Sequence, residues 1–186
     1  MTSLRTAEST LQRRFPAQRL GDTGWHNTTL IFVMKGIMDM GKTRYIAYGS
    51  NLNLDQMAHR CPTAKVVGTA ELEGYELLFR GSHGCAVATV EKKVDSSVPV
   101  LIWELEPQDE AALDRYEGYP YLYRKEWVTV EHSGKPTKVM VYIMNDGRPL
   151  GAPGNYYYEV VRDGYMTAGF DTSLLRKAAK RSRVAI

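Results

Sequence analysis

The sharpest change of pattern along the chain falls at Arg44-Tyr45-Ile46-Ala47-Tyr48, where a run of aromatic and β-branched side chains stops at Gly49-Ser50-Asn51 and a helical pattern follows. Such a run predicts a buried strand that empties into a turn. Gly49 is expected to take backbone torsions closed to other residues. Ser50, Asn51 and Asn53 are each suited to cap the helix expected over 54–60. Downstream, 64–79 alternates as one bent or two short strands, with Glu73-Gly74 as the break. A loop at 81–84 precedes a short strand of small residues over 85–90. Ser96-Ser97 predicts a turn before an apolar strand over 98–105.

The clearest helix opens at Pro107, carries Ala111, Ala112 and Leu113 as its apolar stripe, and closes at Gly118. That places Glu117 in its last turn. Two strands, 127–130 and 138–144, flank Ser133-Gly134-Lys135-Pro136 as a hairpin. A Gly- and Pro-containing loop over 145–155 follows. A helix over 159–165 is expected to close near Gly164, and a basic helix over 171–182 is expected to be capped by Asp171 or Thr172.

With 186 residues, 44% hydrophobic and 24% charged, the chain suits one domain of ordinary globular composition. Of its 24 Lys and Arg and 21 Asp and Glu, six and three lie within 1–42, which leaves 18 of each sign in the remainder. No basic stripe suited to a phosphate backbone runs through that body, so nucleic acid is not an expected partner. The two cysteines, Cys61 and Cys85, form neither a disulfide framework nor a C-x-x-C pair, which points to a reduced, cytoplasmic protein. His59 and Cys61 are a lone pair without further ligands, so no metal is expected. Residues 1–42 lack a sustained period and read as a poorly structured N-terminal extension to a domain over 43–186. Their one apolar run, Leu30-Ile31-Phe32-Val33-Met34, is too short to span a membrane.

Two stretches carry candidate chemistry. Backbone N–H groups at the Gly49-Ser50-Asn51 turn and the helix start after it attract a carboxylate or phosphate, although an ordinary strand-to-helix joint has the same pattern. Glu117 faces the negative end of its helix dipole, which raises a carboxyl pKa, the more so in a dry site; a solvated glutamate at a frayed end fits the same position. A third stretch, Gly36-Ile37-Met38-Asp39-Met40-Gly41-Lys42-Thr43, fits G-x-x-x-x-G-K-[ST] at every fixed position. That loop needs a helix after it, and 44–48 reads as strand.

Taken together, Tyr45-Ile46-Ala47-Tyr48-Gly49-Ser50-Asn51-Leu52, Gly84-Cys85-Ala86-Val87-Ala88-Thr89 and Leu113-Asp114-Arg115-Tyr116-Glu117-Gly118 resemble, in order and separation, the γ-glutamylcyclotransferase family with its AIG2-like members. The resemblance runs from about Thr43 to Phe170. It implies an α+β fold, a small mixed β-barrel flanked by helices, and conversion of a γ-glutamyl amine or amino acid to 5-oxoproline with release of the free amine. By the same resemblance Glu117 is the acid/base. The substrate pocket is expected from Tyr45, Ile46, Ala47, Tyr48, Gly49, Ser50, Asn51, Tyr123, Tyr142, Met144 and Tyr157, with 48–51 holding the α-carboxylate. The implied partner is a small γ-glutamyl compound, without metal or organic cofactor, bound by a monomer or homodimer that meets no membrane. The alternatives are a non-catalytic module of the same fold that binds a small anion, and a nucleotide-binding protein built on residues 36–43.

Overall fold

The computed structural model of the chain describes residues 41–183. Most of the proposed N-terminal extension, and positions 36–40 of the P-loop-like stretch, lie outside these residues. Thr43 already belongs to the first strand, β1 (Thr43–Ala47), so a strand stands where a phosphate loop requires a helix. Lys42, the lysine of that pattern, is held by Glu104 at 2.7 Å.

β1 runs into a 3-10 turn, Ser50–Leu52, and then helix α1 (Leu54–Arg60). Of the three candidate caps, Asn53 takes the role, its side chain accepting the Gln56 N–H at 3.0 Å. β2 (Lys65–Arg80) is one long bent strand, with register shifts at Val66/Gly68 and Glu73/Tyr75. The turn expected at Ser96-Ser97 is absent. Residues 87–105 form one strand, β3, and the excess length is absorbed as a bulge: Glu73 faces Ser97 while Tyr75 faces Lys92. Asp95, at φ 57°, takes the left-handed conformation that the bulge demands.

Helix α2 (Pro107–Glu117) ends at Gly118, which is left-handed at φ 64°. β4 (Tyr123–His132) and β5 (Lys135–Met144) form the expected hairpin, with Ser133 and Gly134 both at positive φ. Helix α3 (Asn155–Thr167) starts four residues earlier than the pattern suggested and runs straight through Gly164. That glycine is used for contact: a Cβ there would lie 2.5 Å from Leu52 Cβ and 2.8 Å from its carbonyl carbon. Helix α4 (Thr172–Arg183) follows, with Asp171 accepting the Ser173 N–H at 2.8 Å.

The strand order is β2-β3-β1-β5-β4, with β1 antiparallel to β3 and parallel to β5. The fold is therefore α+β around a mixed sheet, as expected, but the sheet is not a closed barrel. Among the described residues no ladder joins β2 to β4. The edges do curl towards each other, since a Cβ on Gly68 of β2 would sit 2.5 Å from the His132 ring of β4. β1 and β5 lie centrally, and Ile46, Ala47, Val139, Met140 and Val141 are wholly buried. Leu113 anchors α2 on this core without exposure; truncating such a side chain to Ala costs about 2–5 kcal/mol. No helix among the described residues is long and apolar enough to cross a membrane.

Candidate active site

The loop after β1 is tied down on three sides. Trp103 Nε1 of β3 donates to the Asn51 carbonyl at 3.2 Å, Tyr48 Oη donates to the Tyr142 carbonyl at 2.6 Å, and α3 presses on Leu52 through Gly164. Within the turn, the Leu52 and Asn53 N–H groups bond to Gly49 and Ser50. The Ser50 and Asn51 N–H groups reach no acceptor among the described residues. Gly49 has φ −118°, so the left-handed freedom expected of it is not what the turn uses. Close approach is: a Cβ there would lie 3.2 Å from Ala88 Cβ and 3.4 Å from Tyr157 Oη.

Helix α2 carries Glu117 to this loop. Asp109 fixes its first turn, accepting the Glu106 N–H at 3.1 Å and the Thr63 hydroxyl at 2.6 Å. Lys125 of β4 holds the middle through Glu110 at 2.6 Å and Asp114 at 2.8 Å, and Tyr142 Oη donates to Asp114 at 2.6 Å. At the end of the helix, Asn51 Nδ2 donates to Glu117 Oε1 at 2.8 Å and to Tyr45 Oη at 2.8 Å. Burial raises the Glu117 carboxyl from 4.5 to about 7, against the lowering effect of the Asn51 hydrogen bond and the Arg60 charge. Of the two causes expected from the sequence, helix end and dryness, dryness is the one that acts here. Around it the phenols of Tyr45, Tyr48, Tyr123, Tyr142 and Tyr157 are all raised by burial first and by the Glu117 charge among the further causes, so they stay protonated at neutral pH.

Tyr45, Tyr48, Gly49, Ser50, Asn51, Glu117, Tyr123, Tyr142 and Tyr157 thus line one cleft, together with Ala88. Ile46 and Ala47, placed in the same pocket by the sequence reading, are wholly buried in the core. Strand alternation explains Ile46, whose side chain leaves the sheet on the face opposite to Tyr45. Met144 is also buried, and its N–H is bound by Thr89 Oγ1 at 3.1 Å; it supports the wall without forming it. Sequence reasoning missed Ala88, Tyr116 and Arg60. Tyr116 bonds Ser50 Oγ at 3.0 Å, and the Arg60 guanidinium stacks 3.3 Å above its ring while donating to Asn51 Oδ1. No local motif marks Arg60, which lies at the end of an unremarkable short helix.

The cleft is tight, with free space of about 20 Å³, room for about one water. A larger groove of about 580 Å³ lies elsewhere, between β2, β3 and α4. Its Glu76 is paired with both Lys93 and Arg181. The smaller cavity is the one that holds Glu117, the carboxyl raised to about 7. What its residues can do is hold an anion on free amides beside a carboxyl that both accepts and releases a proton near neutrality.

The family model described as gamma-glutamyl cyclotransferase, AIG2-like matches residues 45–159. No curated protein sequence matches the chain. Among solved structures, a gamma-glutamyl cyclotransferase and an uncharacterized protein from Homo sapiens each align with a TM-score of 0.64 at 24% identity, over 74% of this chain and 86% of theirs. YkqA from Bacillus subtilis aligns with a TM-score of 0.64 at 19% identity, over 86% of this chain and 59% of its own. At these identities the likenesses establish the fold. The family match spans the loop after β1, the helix that carries Glu117 and the first turn of α3, and on that span the chain belongs to the gamma-glutamyl cyclotransferase, AIG2-like family.

Proposed function

We propose that the chain cyclises the γ-glutamyl group of a small γ-glutamyl amine or amino acid to 5-oxoproline and releases the free amine. The observation that carries this reading is Glu117: a carboxyl raised to about 7 and bonded by Asn51 beside a loop with two N–H groups that have no acceptor among the described residues. A module that only bound anions would gain nothing from burying a carboxyl there, because its charged form repels the ligand.

A γ-glutamyl compound brings its own nucleophile. The α-carboxylate rests on the Ser50 and Asn51 amides, which curls the chain so that the α-nitrogen meets the γ-carbonyl. Glu117 takes a proton from the α-ammonium, the α-nitrogen bonds to the γ-carbon, and the old bond from that carbon to the leaving nitrogen breaks. Glu117 passes that proton to the departing amine, then takes the second proton, which the α-nitrogen sheds as it becomes the lactam N–H, and the freed amine carries this one away as an ammonium ion. One carboxyl performs these transfers, which is efficient only near its own pKa, and such catalysis contributes about 10²–10⁴-fold. Because the cleft holds about one water as it stands, substrate entry requires wall side chains to give. Tyr116, half exposed, is held at its hydroxyl by Ser50 and across its ring by Arg60.

The test is a panel of γ-glutamyl compounds that differ in the leaving amine: an amino acid, a polyamine and a lysine side chain. Each is assayed for 5-oxoproline in ¹⁸O-labelled water. Cyclisation predicts unlabelled 5-oxoproline and an inert N-acetylated substrate, whose nitrogen lone pair is delocalised. Labelled free glutamate, or turnover of the acetylated compound, would falsify it.

A further inference from the structure

The hydroxyl hydrogens of the cleft tyrosines can be followed one by one. Tyr48 donates to the Tyr142 carbonyl, Tyr142 to Asp114 and Tyr123 to the Ala88 carbonyl, each at 2.6 Å. Tyr157 accepts the Ala88 N–H at 3.1 Å, and among the described residues no acceptor takes its hydrogen. Tyr45 is in the same state, and it alone of the five shares Asn51 Nδ2 with Glu117. Its oxygen accepts from Asn51 Nδ2, and its hydrogen reaches no acceptor among the described residues, although the side chain is 4% exposed. A buried donor left unmatched is costly, and a site that maintains one has a use for it in the presence of a ligand.

Arg60 explains how this arrangement is enforced. A guanidinium has five donors and no acceptor, so the group of Asn51 that faces it must be the carbonyl oxygen. Both hydrogens of Asn51 Nδ2 are then turned the other way, one onto Glu117 and one onto Tyr45. Reversing the amide would set its oxygen against the Glu117 carboxylate and its NH₂ against the guanidinium, two repulsions at once. Arg60 is itself fixed by Gln56 at 3.3 Å and by the Tyr116 ring. Since Tyr45 and Glu117 are bonded to one nitrogen, the free hydroxyl hydrogen and the carboxyl share the same small space.

We infer that the Tyr45 hydroxyl is the donor that stabilises the γ-carbonyl oxygen as it becomes an oxyanion, and that Arg60 is the positioning residue that keeps this hydroxyl free by locking Asn51. The inference rests on the cyclisation proposed above. As the α-nitrogen bonds to the γ-carbon, the carbonyl electron pair moves onto oxygen and is met by the Tyr45 O–H, which keeps its proton. The pair returns when the leaving nitrogen departs with the proton from Glu117. A donor aimed at developing charge, in a place that excludes water, is worth far more than the same bond in solution. Burial keeps the phenol protonated throughout, as the role requires.

The experiment uses the full chain and a γ-glutamyl compound that the wild type converts. Tyr45→Phe should lower kcat by about 10²–10³-fold and leave KM within about threefold, the pattern of a contact made only in the transition state. Arg60→Gln should also lower kcat. It should further move the acidic limb of the kcat/KM profile to higher pH, because Arg60 is the cation facing Glu117 while Tyr45, Tyr48, Tyr123, Tyr142 and Tyr157 face it uncharged. Arg60→Lys should restore the limb. Near-UV circular dichroism reports folding, and if Tyr45→Phe does not fold, 3-fluorotyrosine at position 45 alone replaces it: a changed kcat supports the role and an unchanged one overturns it. Folded Tyr45→Phe with wild-type kcat removes the inference and leaves the cyclisation standing. A wild type that releases 5-oxoproline from no member of the panel removes both.

Discussion

Glu117→Gln separates what burying one carboxyl does for activity from what it does to stability. Gln keeps the shape, and its Oε1 still accepts the Asn51 hydrogen bond of 2.8 Å, but it cannot ionise. Folding raises the Glu117 carboxyl from 4.5 to about 7, burial being the first cause. Below the lower value both folded and unfolded chains carry the proton, and the group contributes nothing. Between the two values the unfolded chain releases its proton while the folded chain holds it, so stability falls as pH rises, and above about 7 the loss is complete. A difference of about 2.5 units at about 1.4 kcal/mol each amounts to about 3 kcal/mol, or 2–3 kcal/mol once the water reaching this partly exposed side chain is counted. The assay is urea denaturation of both proteins at pH 5 and pH 8.5. The wild type should lose about 2–3 kcal/mol relative to the variant between these pH values, while turnover by the variant is about 10²–10⁴-fold lower. Parallel stability curves would refute the reasoning, because Glu117 would then titrate as it does unfolded. Near wild-type kcat would move the base elsewhere.

Three further outcomes follow from the packing. Gly49→Val should raise KM about tenfold or more, since even its Cβ meets Ala88 at 3.2 Å, and the rest of the side chain fills the approach to the Ser50 and Asn51 amides; unchanged KM would place the α-carboxylate elsewhere. Gly164→Ala should cost about 1–3 kcal/mol and lower Tm, because the new Cβ meets Leu52 and the Asn53 nitrogen at 2.9 Å, backbone that cannot give; a wild-type Tm would contradict this. A chain starting at Gly41 should keep its fold and kcat, since Lys42 and Thr43 keep their contacts to Glu104 and Glu110 and the family match begins at residue 45; loss of folded protein, or of kcat, would reject the extension as dispensable.

Local signals told most about the elements whose ends carry their own chemistry. Asn53 before α1, Pro107 and Gly118 around α2, and Ser133-Gly134 between β4 and β5 each mark an end by a cap or a torsion. Where an end depends on distant partners, the reading slipped. Ser96-Ser97 looked like a turn, yet β3 continues because Leu72 and Glu73 of β2 supply its partners, and a ladder outweighs local preference. Gly164 looked like a helix stop, yet it is the position at which α3 can touch Leu52, a contact more than a hundred residues away in sequence.

The site divides along the same line. Its composition was legible because aromatic strand, Gly-Ser-Asn turn and Glu at a helix end are each contiguous. Its polarity was not. Which hydrogen of which tyrosine remains free is decided by a chain of donors and acceptors drawn from β1, α1, α2 and β5, and only the fold brings Arg60 to Asn51 and Asp114 to Tyr142. The same contacts settle two opposing demands on Glu117. Burial drives its pKa up and makes the folded chain less stable at neutral pH, while Asn51 and Arg60 draw it back down. A carboxyl left to burial alone would hold its proton too tightly to act as a base, and one left to Arg60 alone would release it too readily to protonate a leaving amine. Holding it near 7 requires both influences at once, so the residues that orient Asn51 also set the pH at which the proton can travel in each direction.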